Sequence, residues 1–219
     1  MFGGRTYAHS CSGRCIERLS EVEVIMNAKR WAHGLVLAIV YSTAGATNVV
    51  RNPDFVGGAD GWDTAGTGGG SAYFESGFGS PTAGTLRMDA FVAGSGAYAE
   101  QCVDVRRLTK LDFGYRFELV TNFGAAKHAV TLTFFDSSGC TGNALGKPLA
   151  ADEGDAPPVE NGYKEAMSFS NLVPVGALSA HIEISAMGGS GGQQGGVSLL
   201  VDHVQVGPLD VVFFDDFEP

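Results

Sequence analysis

The clearest hydrophobic pattern in the chain has a period of two. Leu111, Phe113, Tyr115, Phe117 and Leu119 alternate with Asp112, Gly114, Arg116 and Glu118, which gives an extended segment one apolar and one polar side, as in a half-buried strand. Val130, Leu132 and Phe134 repeat the theme against Thr131 and Thr133. These two long strands are expected side by side in the middle of one sheet. Leu86, Met88, Ala90 and Val92 mark a further strand, Tyr98 to Val105 another, and the segments around Met167-Phe169 and Leu178-Ile184 two more. Near the end Val197, Leu199 and Val201 alternate with Ser198, Leu200 and Asp202, and the apolar phase then slips by one to Val204 and Val206. A one-residue slip in a period-two pattern predicts a β-bulge at Asp202-His203.

Glycine and polar turns separate these runs at the spacing of a sandwich. Asn48 to Arg51 reads as a short first strand, broken by Asn52-Pro53-Asp54-Phe55, after which the GGADGW turn delivers Trp62. A loop with three consecutive glycines leads to a strand at Ser71 to Glu75. Residues 141 to 162, with Asp152, Glu153 and Asp155, read as a long polar loop, of the length that in compact domains usually serves a function. No stretch after Thr47 keeps helical spacing over three turns. The pattern therefore predicts an all-β, antiparallel β-sandwich of about nine strands over residues 47–207.

The start of the chain is of another kind. Residues 26–46 combine basic Lys29 and Arg30, the apolar run Gly34 to Tyr41 and the small-residue stretch Ala44-Gly45-Ala46, the three regions of a secretion signal. The run is too short for a membrane span, which takes about 18 to 20 apolar residues. Met26 is then the expected initiator, residues 1–25 are upstream sequence, and the exported protein starts at Thr47. His9, Cys11 and Cys15 stand close in that upstream segment without a fourth metal ligand nearby. From Thr47 onward there are 9 basic and 21 acidic residues, a net charge of −12, which excludes nucleic acid as a natural partner. Cys102 and Cys140 are the only cysteines of that part, the count for one disulfide in an exported protein.

The order of features resembles the galactose-binding-like jelly roll of carbohydrate-binding modules. The residues that carry the resemblance are Asn52-Pro53-Asp54-Phe55 with Gly61-Trp62, the strand pair at 111–119 and 128–135, the Val173-Pro174-Val175-Gly176-Ala177 turn, and Val201-Asp202-His203-Val204. It implies a structural calcium ion between the opening segment and the last strand, with Asp202, Asn52 and Asp54 as ligands. The chain departs from the family where a second acid is replaced by His203 and a glutamate by Val56, each of which removes an oxygen ligand. The tail, residues 208–219, with Phe214, Asp215, Phe217 and Glu218, resembles the acidic-aromatic ends of exported bacterial proteins.

Sugar binding needs flat aromatic faces for pyranose rings and polar groups for the hydroxyls. Tyr163, beside the long acidic loop, together with Trp62 and Tyr73, is the expected ligand-binding set; other aromatics of a sandwich fill its core. The chain has no H-E-x-x-H motif and no G-x-S-x-G elbow, since the one string that matches, residues 188–192, is a glycine run with no helix after it, and His128, His181 and His203 lack ligand spacing. Glu183 has only His181 and Ser185 as alternate neighbours, and Asp112 and Glu118 are separated by Gly114 and Arg116, so no carboxylate pair of a glycosidase lies on one strand. The sequence thus points to a secreted or cell-surface binding module, without enzyme activity, whose partner is a polysaccharide or other glycan. The alternatives are a structural or adhesive surface protein, and a glycoside hydrolase whose acids meet across strands.

Overall fold

The computed structural model describes residues 48–79, 83–123, 126–155, 162–189 and 195–208. The expected signal segment, the residues before it and the tail from 209 onward lie outside the described residues. Within them the chain runs through β1 (Asp63–Thr67), β2 (Ser71–Glu75), β3 (Thr85–Ala90), β4 (Gly96–Asp104), β5 (Lys110–Phe123), β6 (Lys127–Phe135), β7 (Ala144–Asp155), β8 (Lys164–Leu172), β9 (Ser179–Met187) and β10 (Gly196–Gly207). These form two antiparallel sheets of five, ordered β1-β4-β9-β6-β7 and β2-β3-β10-β5-β8. The protein is an all-β sandwich, and no helix of the described residues is long and apolar enough to cross a membrane.

The alternating sides close on each other as the period of two requires. Leu111, Phe113, Tyr115, Phe117 and Leu119 of β5 meet Val130, Leu132 and Phe134 of β6 and Ile182 and Ile184 of β9 in one buried core. A polar contact crosses that core: the Tyr115 hydroxyl bonds to Nδ1 of His128, whose ring packs on Phe117 at 4.4 Å between centroids. A buried polar pair is stable only because each group satisfies the other.

Three expectations are corrected. β5 and β6 are not neighbours in one sheet; β5 belongs to the second sheet and β6 to the first, so they face each other across the core. Both carry the same one-sided pattern, which says that a strand is half-buried and not which layer it joins. Residues 144–155, read as loop, form β7 on β6, with register shifts between His128 and Val130 and between Leu132 and Phe134. Those irregularities break the alternation, and Pro148 is tolerated because β7 is an edge strand. Asn48 to Arg51 is not a strand: Asn48 Oδ1 accepts from Val50 and Val206 N–H, and Gln101 takes the backbone of Arg51 from both sides. β1, exposed along its whole length, gave no apolar signal.

The expected disulfide is present, with Cys102 on β4 joined to Cys140 in the turn after β6. It holds that turn over β9, where Cys140 N–H also donates to Ser179 Oγ at 3.0 Å. Replacing both cysteines by alanine opens a loop of 38 residues and is expected to lower unfolding free energy in urea by about 3 kcal/mol. An unchanged urea midpoint would show that the cross-link does not constrain the unfolded chain.

Candidate functional site

Side chains that point out of the second sheet form its outer face, and the register places them in rows. Residues directly opposite on antiparallel strands point the same way. One row runs Tyr73 (β2), Arg87 (β3), Leu200 (β10), Glu118 (β5); a second holds Glu75, Thr85, Asp202, Arg116 and Glu165; Asp89 and Ser198 share a third. The outer side of a two-layer sandwich is normally wet. Here Thr85, Asp89, Ser198, Leu200, Asp202, Arg116 and Gln205 are no more than 8% exposed, so the middle of the face is shielded from water.

The buried polar groups of that face are wired together. Asp89 accepts from Tyr73 Oη at 2.9 Å, Arg87 Nε at 3.1 Å and Ser198 Oγ at 2.6 Å. Arg87 also reaches Glu75 at 3.2 Å, which makes a five-residue network across β2, β3 and β10. Burial first, and then the bond to Asp89, raises the Tyr73 phenol above its usual value of 10. Thr85 Oγ1 donates to the Val201 carbonyl at 2.6 Å.

Tyr163 closes the other side. It immediately precedes β8, and its ring lies 5.5 Å from the Arg116 guanidinium carbon, a cation–π contact. Burial pushes its phenol above 10, Thr85 acts the other way, and Asp202 and Glu118 push it further up. The tyrosine therefore leans over the face above Arg116, near Thr85 and Asp202. β8 can lie this close to β5 because Gly114 has no side chain: a Cβ there would sit 2.0 Å from the Ala166 carbonyl oxygen.

Of the three expected aromatics, Tyr73 and Tyr163 thus share one face, from its two opposite sides. Trp62 is elsewhere, 7% exposed, packed on Phe55 at 5.5 Å between centroids and donating to the Asn52 carbonyl. Arg87, Asp89, Glu118 and Arg116 were not singled out in the sequence as site residues. Their signal was available as the polar half of the alternation in β3 and β5, but it acquires meaning only once sheet order brings the strands together.

The three expected calcium ligands sit around the bulge, which falls between Asp202 and Val204. Asn52 Nδ2 donates to the Gly58 carbonyl, Asp54 bonds to Nδ1 of His203, and Asp202 accepts from His203 N–H at 2.9 Å. An imidazole engages Asp54 where calcium would want another oxygen. A different group gathers on the outer face of the first sheet, where Glu100, His181 and Glu183 bring their ligand atoms within 4.8 Å of one another.

No protein-family model matches the chain, and no curated relative is found. Solved structures do match. The enzymatically active domain of bacteriophage CBA120 tailspike protein 4 aligns with a TM-score of 0.55 at 17% identity, over 74% of this chain and 21% of that one. The present chain thus spans about a fifth of that tailspike domain. TmCBM61, solved with β-1,4-galactotriose, aligns at 0.50 and 14% identity, over 73% of this chain and 97% of that one. A xylan-binding domain from CBM 22 aligns at 0.50 and 12% identity, over 76% and 96%. At these identities the likeness establishes a sandwich fold like that of carbohydrate-binding modules.

If Asp89 is the anchor of the face, Asp89→Ala leaves Tyr73, Arg87 and Ser198 without their shared acceptor. It is expected to lower stability by about 2–3 kcal/mol in urea unfolding. A loss below about 0.5 kcal/mol, the size of an ordinary surface change, would show that the network carries no load.

Proposed function

We propose that this chain is an exported, non-catalytic carbohydrate-binding module that holds a polysaccharide across the outer face of its second sheet, between Tyr73 and Tyr163. The observation that carries this is the polar outer face itself: Tyr73 on the β2 edge, Tyr163 over Arg116, and carboxylate, guanidinium and hydroxyl groups set in register along the strands. Four strand spacings of about 4.8 Å separate the two edge strands, a span of about 19 Å. That is long enough for an oligosaccharide laid across the strands.

The chemistry suits sugars. The apolar face of a pyranose ring stacks on a tyrosine, while paired hydroxyls accept from a guanidinium and donate to a carboxylate. Both partners are present at Arg87-Glu75 and around Arg116, and their geometry is set before the ligand arrives, which cuts the entropy lost on binding. Two of the solved structures that share the fold are sugar-binding modules by name, which supports the same reading.

The face also selects by charge. Glu75, Asp89, Glu118, Glu165 and Asp202 outnumber Arg87 and Arg116, so neutral glycans are favoured over polyuronates, which the excess acid repels. The disulfide and the signal-like residues 26–46 support export to an oxidising compartment.

The test is native affinity electrophoresis of the full chain in gels carrying galactan, xylan or polygalacturonate. Retardation on a neutral polysaccharide and none on polygalacturonate is expected. Tyr163→Ala and Tyr73→Ala should each weaken the interaction about tenfold or more, the effect of losing a central aromatic contact. Free migration in every neutral gel, or retardation untouched by both substitutions, would reject this face as the binding surface.

A further inference from the structure

On the other layer of the sandwich, well-ordered strands present a second set of chemical groups. Glu100 on β4 stands directly opposite Glu183 on β9, and Cys102 opposite His181, in the same antiparallel register. All four point out of the first sheet, because Ala99, Val103, Ile182 and Ile184, between them, fill the core. Two carboxylates directly opposite each other repel. His181 lies diagonally between them, with Nε2 at 3.0 Å from Glu100 Oε2.

From this we propose that Glu100, His181 and Glu183 form a binding site for a late first-row divalent cation of the zinc type. The three ligand atoms lie within 4.8 Å of one another. In a tetrahedral shell with bonds of about 2.0–2.1 Å, ligand atoms are about 3.3 Å apart. Closing the set on an ion therefore takes side-chain rotation alone. One imidazole nitrogen and two carboxylate oxygens suit Zn²⁺, Ni²⁺ or Cu²⁺, while Ca²⁺ and Mg²⁺ prefer oxygen only. The cation also neutralises the opposed acids, which a single imidazolium does only in part.

The platform is rigid and open. β9 is the middle strand of its sheet, and the Cys102–Cys140 disulfide fixes β4 next to the site. Thr131 and Thr133 of β6 stand opposite Glu183 and His181, where hydroxyls can orient metal ligands from behind. The side chains of Glu100 and His181 are 46% and 28% exposed. Three protein ligands on an accessible face leave the fourth position to water or to a donor from another molecule.

This site lies on the opposite layer from the glycan face and stands or falls without it. The experiment is equilibrium dialysis of the chelator-treated full chain against Zn²⁺, with bound metal counted, and thermal melting with and without Zn²⁺. Wild type is compared with His181→Ala and Glu183→Gln. Each variant should bind one Zn²⁺ fewer, or bind it at least about tenfold more weakly, and should lose the Zn²⁺-dependent rise in melting temperature. His9, Cys11 and Cys15 are present in all three proteins and cancel in the difference. Should His181→Ala unfold in the absence of metal, the isosteric Glu183→Gln decides alone. Undiminished Zn²⁺ binding in the folded variants, or Ca²⁺ taken up as tightly as Zn²⁺, would overturn the assignment.

Discussion

A strand in the centre of a sandwich has its inner side buried by the opposite sheet; β10 has its outer side buried as well. That requirement shapes everything near it. Ser198, Asp202 and Gln205 point away from the core and are still 0–3% exposed, and a polar group taken out of water costs about 1–3 kcal/mol unless it finds a partner. Each has one: Ser198 bonds to Asp89, Asp202 to the His203 amide, Gln205 to the Pro208 carbonyl. Asp89 comes from β3, while His203 belongs to β10 and Pro208 follows it directly; with the ladders on both sides, these bonds hold β10 between β3 and β5. The groups proposed to meet a sugar are therefore held by the same bonds that hold the sheet. Preorganisation of the face follows from its burial.

The bulge in β10 carries a second burden. His203 has φ 41°, and Asn52 and Phe55 in the facing turn have φ 48° and 50°, left-handed conformations that cost non-glycine residues about 1–3 kcal/mol each. They are tolerated because the junction is over-determined. Val204 N–H donates to the Pro53 carbonyl, Asn48 bonds to both Val204 and Val206, Val49 N–H donates to Val206, and Asp54 bonds to His203. Phe55 and Trp62 then bury themselves under the same turn. The strained backbone re-aims β10 so that Val204 and Val206 return to the core while Asp202 remains on the outer face.

Much of this was legible in the residues. The slip from Val201 to Val204 told of the bulge, and five alternating apolar residues told of β5, because period two is imposed by local geometry alone. What failed was what no single strand encodes. β7 was hidden because two register shifts against β6 scramble its alternation, and the assignment of β5 and β6 to different sheets depends on long-range packing. The same holds for the sites. Tyr73 and Tyr163 were named from their chemistry, but Glu100 drew no notice, because its partners Glu183 and His181 stand some 80 residues away along the chain and meet it only through register. Trp62 looked like a sugar platform because a tryptophan after a turn can be one; the space between Phe55 and the sheets made it core.

The two layers put similar carboxylates to different uses, and the identity of the basic partner explains why. On the second sheet Asp89 faces Arg87 and Asp202 faces Arg116. A guanidinium keeps its charge under all ordinary conditions and has no lone pair to offer, so it neutralises a buried acid permanently and closes it to metal ions. Such a pair can still exchange hydrogen bonds with a neutral ligand. On the first sheet Glu100 faces His181. An imidazole that gives up its proton becomes a metal ligand itself, and the acid beside it changes from ion-pair partner to co-ligand without moving far. Exposure strengthens the distinction: half-wet Glu100 can exchange its solvation for an ion, whereas Asp89 already has the Arg87 guanidinium. Sandwich geometry supplies two outer faces, and the choice between arginine and histidine beside the acids sets which ligand chemistry each could support.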